Sequence, residues 1–386
     1  MRLPSAEALR ELLAWEPRHG VFSVYLEIDP GDRGGAWRIE LRDQIDEATA
    51  AAKEDGDRER GKAIDATVER IAETFQPNSP PSGRMQIGFV EVSSKPGREE
   101  WFAAQHPVER TRVVYGPRPY VRPLAEILDG GRPRAIAALS AERVRLFEWR
   151  LGTLEELAAK ELELFALDWR ERKAPQMRDP ASSQAVSSAG RDQYDQRLEQ
   201  NRRRFLKESG SRFSREPSEE ARRELLCIGD PQLCEAFMEG WEPMPNRFAV
   251  DHHDVITEPA SAIAERATAK LTELETERGA ELVEKATSAA FAINGAGALG
   301  PSDTARALAQ GRVEHLLIDA EQEVSADRLE DQVRAELEAV KPLPAGRLDE
   351  WIVEEAIRTS ASITALRDDP AERLAEHGGV GGLLRY

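Results

Sequence analysis

Thr304-Ala-Arg-Ala-Leu-Ala-Gln-Gly311-Arg-Val313-Glu-His-Leu316-Leu317-Ile318-Asp319 decides the fold class. Ser302-Asp303 reads as a helix cap, the Ala/Leu-rich run as a short helix, and Gly311 as its stop. Val313–Ile318 is then a strand pattern that ends at Asp319. Downstream the spacing predicts helices over about 325–339 and 348–359 and a strand at Ile363–Leu366. The end, Gly378 to Tyr386, is too glycine-rich for a helix. Upstream lies a glycine-rich bend, Asn294 to Gly300. It follows a helical stretch from Glu258 to about Ala292, read as one helix or two. Helices alternating with short strands imply α/β layers.

The same alternation holds further upstream. In residues 129–255, Ala135–Leu139 and Val144–Trp149 read as consecutive strands joined by Ser140-Ala141-Glu142. A third is drawn from Leu154 to Leu164, which alternates poorly. The segment Asp168 to Gly190 lacks apolar periodicity and reads as a long loop, a kind that is usually functional when it sits in a compact domain. A helix pattern starts at Arg191, with Tyr194, Leu198 and Phe205 on one face. Glu224–Ile228 is a strand, and Gly229-Asp230-Pro231 turns the chain into a helix over Gln232–Met238. In residues 1–128, strands are expected at Val21–Leu26, Met85–Val92, Trp101–Gln105 and Thr111–Tyr115, and helices at about 36–53 and 58–76. Pro117, Pro119 and Pro123 read as breaks. Three α/β domains result, 1–128, 129–255 and 256–386, without an internal repeat.

Composition excludes several classes. The chain has 386 residues, 53 Lys and Arg, 71 Asp and Glu, and a net charge of −18. No stretch reaches the ~18–20 uncharged apolar residues of a membrane helix. Glu7, Arg10 and Glu11 argue against a signal peptide at the start. Cys227 and Cys234 have neither disulfide-framework nor zinc spacing, which suits a reducing cytoplasm. Adjacent His252 and His253 would point to opposite faces of a strand, so no metal site is expected.

Two features could carry chemistry. Gly295-Ala-Gly297-Ala-Leu-Gly300, with Asp319 at the end of a later strand, has the letters of a dinucleotide fingerprint. Its context is wrong, because a helix precedes it, so it reads as a connection and no cofactor is expected. The other feature is charge. Residues 170–215 hold twelve Arg or Lys and six acids, a local +6 on a body that otherwise carries −24. Bulk acidity excludes a phosphate-coated protein, but a single basic element beside a long polar loop suits docking to phosphates. No G-x-S-x-G elbow, P-loop or H-E-x-x-H occurs.

The residues from Thr304 to Asp319, with Val353-Glu-Glu-Ala-Ile357 and the terminal Gly378-Gly-Val-Gly-Gly-Leu-Leu-Arg-Tyr386, resemble the last domain of the archaeo-eukaryotic class I peptide-chain release factors. The likeness is closer to their bacterial relatives. Arg134 to Glu148 and Leu225 to Glu235 resemble that family's middle domain. The resemblance spans about 131–386 and implies an RNase-H-like middle domain and an L7Ae-like α/β/α last domain. In the family, a Gly-Gly-Gln loop precedes a basic helix. Ala181-Ser-Ser-Gln184 holds that place and matches the Ser-Gln or Ala-Gln ending of the ribosome-rescue branch. Serines replace the glycines, which would permit positive φ and close approach to tRNA.

The resemblance implies a peptidyl-tRNA hydrolase that rescues stalled ribosomes in the cytoplasm. Gln184 and Ser183 form the catalytic pair, in a catalytic loop over 168–190. Gln193 is a rival for the glutamine. Arg178, Arg191, Arg197, Arg202, Arg203, Arg204 and Lys207 would hold tRNA and rRNA phosphates, although some of them could pair with Asp192, Asp195 and Glu199 instead. The Asn-Ile-Lys-Ser stop-codon signature is absent, so codon-specific termination is not expected. The acidic remainder is free to face a protein partner. The alternative is a non-catalytic ribosome- or RNA-binding factor that retains the scaffold.

Overall fold

The computed structural model describes residues 2–29, 32, 35–53, 57–75, 83–105, 111–162, 183–242, 246–252, 255–292, 295–339, 343 and 347–386, with backbone alone at 183–195. Two units emerge: Met1–Gly131 with Thr272–Tyr386, and Arg132–Leu271. The α/β class holds throughout.

In the first unit, α1 (Ala6–Leu13), β1 (Val21–Glu27), α2 (Ala36–Lys53), α3 (Arg58–Thr74), β2 (Met85–Glu91), β3 (Glu99–Ala104) and β4 (Arg112–Gly116) precede α4 (Arg122–Gly130). The antiparallel sheet has the order β3-β2-β1-β4. Its β1 side chains Phe22, Val24 and Leu26 join Leu41, Ile45, Ile64 and Ile71 of α2 and α3 in one apolar cluster. Alternate strand residues on one face and a helical stripe on the other dictate that layer.

The chain end builds another sheet, ordered β10-β13-β11-β12. It contains β10 (Gly297–Leu299), β11 (Val313–Asp319), β12 (Ser362–Leu366) and β13 (Val380–Leu384). The helices are α7 (Ala260–Phe291), α8 (Gly300–Ala309), α9 (Asp331–Glu338), α10 (Leu348–Arg358) and α11 (Asp368–Ala375). The α7 stretch is a single helix. Gly311 stops α8 as expected: its φ is +65°, and the next amide, Arg312, donates back to the Ala307 carbonyl at 3.0 Å. That is the left-handed exit that glycine favours. The α8 start differs from expectation. Leu299 is the flanking residue and gives no side-chain cap, while the Ser302 hydroxyl accepts from the Glu330 amide at 2.9 Å. The glycine-rich end is a strand that pairs with both β10 and β11.

The dinucleotide reading fails on topology. β10 and β11 are not neighbours, since β13 lies between them. A Cβ on Gly297 would lie 2.5 Å from the Ala286 carbonyl, so this glycine permits α7 to pack closely. The Asp319 carboxylate accepts from the Glu321 and Gln322 amides at 2.9 and 3.2 Å and closes a turn.

Arg122 ties the early and late segments of this unit together. It is 4% exposed. Its Nε donates to Glu126 at 2.9 Å, one terminal nitrogen meets Asp349, and the other donates to the carbonyls of Asp319, Ala320 and Gln322 at 2.8, 3.3 and 3.1 Å. Burial opposes its charge, but Glu126 and Asp349 hold its pKa above the ordinary value. Arg118 meets Glu354 at 2.8 Å nearby.

Glu350, on the same helix as Asp349 and Glu354, is pushed from 4.5 up to about 7, chiefly by burial. Arg347 pulls it back, and Glu354 and Asp349 add repulsion. A carboxyl whose pKa rises on folding destabilises the fold when it is charged. The penalty is absent below about pH 4.5 and complete above about pH 7. Glu350→Gln is therefore expected to stabilise the protein at pH 8, by up to about 3 kcal/mol, and by progressively less toward pH 4. Urea unfolding across that range tests it, and a gain that did not vary with pH would contradict it.

The second unit has the sheet order β7-β6-β5-β8-β9. β5 (Arg134–Leu139), β6 (Arg143–Arg150) and β7 (Thr153–Glu161) run antiparallel, whereas β8 (Glu224–Ile228) and β9 (Asn246–Val250) extend the sheet parallel to β5. Two helices are α5 (Ser183–Phe213) and α6 (Pro231–Met238). Phe205, Leu206 and Phe213 of α5 join Cys234, Phe237 and Trp241 in a buried cluster with the sheet residues Ala135, Ala137 and Leu225.

Candidate functional site

The candidate site is the outer face of α5. Phe205, Leu206, Ser209, Gly210 and Phe213 are buried and form its inner stripe. At 3.6 residues per turn, Arg203, Arg204 and Lys207 are forced outward. Their side chains are 65%, 77% and 58% exposed. They line an open groove of about 680 Å³ together with Gln200, Glu208, Glu239 and Glu242.

Glycines set the groove's depth. A Cβ on Gly210 would lie 2.2 Å from the Phe237 carbonyl oxygen, and one on Gly240 would lie 1.9 Å from that of Lys207. The α5 backbone therefore touches the end of α6 directly. No side chain intervenes at either contact.

Four cations of the face, Arg202, Arg203, Arg204 and Lys207, meet a carboxylate. Arg202 meets Glu142 at 2.9 Å and Arg204 meets Glu208 at 2.7 Å. Glu239 takes both Arg203, at 2.5 Å, and Lys207, at 3.6 Å. The hydrogen bond from Arg203 holds the Glu239 carboxyl below the usual range, and the same bond raises the arginine. Arg197 is exposed and also engages a partner. The expected pairing of these arginines within their own helix accounts for Arg204 alone among the three consecutive arginines; the carboxylate used is Glu208.

The α5 helix starts at Ser183, eight residues before the expected Arg191, so Ser183 and Gln184 lie in its first turn. After Pro180 the run Ser-Gln-Ala-Val-Ser-Ser-Ala contains no helix breaker, and polarity without periodicity had suggested a loop. The side chains of Ser183, Gln184, Arg191 and Gln193 lie outside the described residues, as do Arg178 and residues 168–182 of the expected catalytic loop. Sequence reasoning missed Glu142, Glu239, Gly210 and Gly240. His252 is bonded to Glu258 at 2.8 Å. Among the described residues no group of three metal-ligating side chains forms, and no helix is long and apolar enough to cross a membrane.

Residues 119–272 match the family described as bacterial archaeo-eukaryotic release factor family 10. Over these residues the chain is similar to the bacterial relatives of the archaeo-eukaryotic release factors. The matched residues include Ser183, Gln184, all of α5 and the Glu239 contact. Similar solved structures include an archaeal translation termination factor, aRF1, at 18% identity, covering 100% of this chain and 99% of that one, with a TM-score of 0.25. Archaeoglobus fulgidus Pelota is 13% identical over 78% of this chain and 79% of its own, with a TM-score of 0.33. Saccharomyces cerevisiae Dom34, described as a translation termination-like factor, is 11% identical over 78% and 80%, with a TM-score of 0.38. No curated protein matches the chain.

Proposed function

We propose that this chain acts on the ribosome as a release-factor-like peptidyl-tRNA hydrolase, in rescue of stalled nascent chains and without stop-codon reading. The carrying observation is the family match over residues 119–272, which spans both Gln184 and the basic face of α5. The substrate is the ester between the peptide and the terminal ribose of tRNA. Water adds to the carbonyl carbon, the tetrahedral oxyanion collapses, and the ribose oxygen leaves with a proton relayed by the neighbouring ribose hydroxyl. Gln184 orients the water or the oxyanion, with Ser183 beside it. The first amides of a helix have no acceptor within it, and the helix dipole favours negative charge there. That supports an oxyanion role for a glutamine in the first turn.

Arg178, Arg191, Arg197, Arg202, Arg203, Arg204 and Lys207 would hold tRNA and rRNA phosphates. The acidic remainder keeps the protein from coating RNA in the cytoplasm and leaves surface for a protein partner. Single-turnover release of peptide from stalled ribosome–nascent-chain complexes tests the catalytic role. Gln184→Ala should slow release by about 10²-fold or more; release at the unaltered rate would sink the role.

A second reading is a binding factor that retains the scaffold without hydrolysis. The helical backbone at Ser183 and Gln184, with serines where the family carries glycines, favours it. Co-sedimentation with ribosomes without peptide release would select this reading.

A further inference from the structure

We propose that Glu239 is an internal substitute for an RNA phosphate, occupying the place between Arg203 and Lys207 until the nucleic acid displaces it. The inference rests on the RNA-docking reading above and names the contact that regulates it.

Three observations carry it. The first is geometry: one carboxylate bridges two cations one helical turn apart on α5, at 2.5 and 3.6 Å. A phosphate presents similar oxygens and takes the same partners by charge-assisted hydrogen bonds. The second is position. Glu239 caps the C-terminal end of α6, where the helix dipole disfavours an acid. The two cations of α5 offset that placement.

The third is the backbone. Gly240 sits against the Lys207 carbonyl and Gly210 against that of Phe237, so the segment bearing Glu239 is fixed on α5. Its side chain is 32% exposed and ends in an open groove. Rotation of that side chain frees Arg203 and Lys207 without moving either helix. In the free protein the basic face is therefore muted, and a polyanion must supply a phosphate at this spot to gain both cations.

The test is binding of a fluorescein-labelled RNA hairpin to the full-length protein across a salt series, followed by anisotropy. Glu239→Gln removes the competitor, and Glu239→Ala serves as a second variant. Glu242→Gln is the control: it lines the same groove and forms no ion pair among the described residues, so it changes net charge equally but releases no cation. Release of two exposed pairs should tighten RNA binding about three- to tenfold, with a steeper salt dependence. The control should gain less than about twofold, from long-range charge alone. Equal gains in Glu239→Gln and Glu242→Gln, or weaker binding in Glu239→Gln, would overturn the substitution idea while leaving RNA docking intact. If no form of the protein binds RNA at any salt, the docking reading itself fails, and this inference with it.

Discussion

Gly240→Ala is expected to break the α5–α6 contact and to destabilise the protein by about 3 kcal/mol or more. The added methyl would fall 1.9 Å from the Lys207 carbonyl oxygen and 3.0 Å from the Ser211 amide nitrogen. Both are helix backbone, so no side-chain rotation relieves the clash. The helices must separate, and the cluster of Phe205, Phe213, Phe237 and Trp241 loosens with them. A lower urea midpoint should be accompanied, in the protein that remains folded, by tighter RNA binding, because Glu239 and its two cations move apart. Gly61→Ala supplies the contrast. It lies in α3 with nothing within 4 Å of the new methyl, and is expected to stabilise by about 0.5–1 kcal/mol. An unchanged midpoint for Gly240→Ala would mean that the close approach is not maintained in solution.

Arg122→Met should cost about 3–5 kcal/mol. The loss leaves Glu126 and Asp349 buried without their cation, and the carbonyls of Asp319, Ala320 and Gln322 without their donor. Arg122→Lys should recover little, since one ammonium cannot reach five acceptors spread around a planar fork. Combining Arg122→Met with Glu126→Gln and Asp349→Asn should restore part of the stability, because the orphaned charges are removed together. If the triple variant were no more stable than Arg122→Met, the deficit would be one of packing and not of charge.

Much of the fold was legible wherever one periodicity dominated. The apolar run Val21–Leu26 and the Ala-rich amphipathic stretches became β1, α2 and α3 nearly as drawn. Failures occurred where a residue has two meanings. Pro123 read as a break, but it stands at the start of α4, where its missing amide has no helical partner to lose. The short α11 and edge strand β9 offered too few apolar residues to register. Glycines at the chain end excluded a helix but did not reveal a strand paired on both sides.

The candidate site was legible by half. Arg202, Arg203 and Arg204 stand out as a basic run in an acidic chain. Their partners do not, because Glu142 and Glu239 lie 60 and 36 positions away from the arginines they meet. Ion pairs across such separations follow from the sheet order and the helix crossing, which no local pattern encodes.

The Arg122 junction also governs when the protein can finish folding. Asp349 follows Arg122 by 227 positions. At about 5–20 residues per second, a ribosome needs on the order of ten seconds or more to make that interval. For that time the guanidinium has Glu126 but neither Asp349 nor the carbonyls of 319–322. The segment around Arg122 must therefore wait, incompletely neutralised, while the entire second unit is synthesised. Its completion depends on residues 272–386, so a nascent chain that stalls just after residue 271 would leave the earlier-made half of the first unit less settled than the second unit made after it.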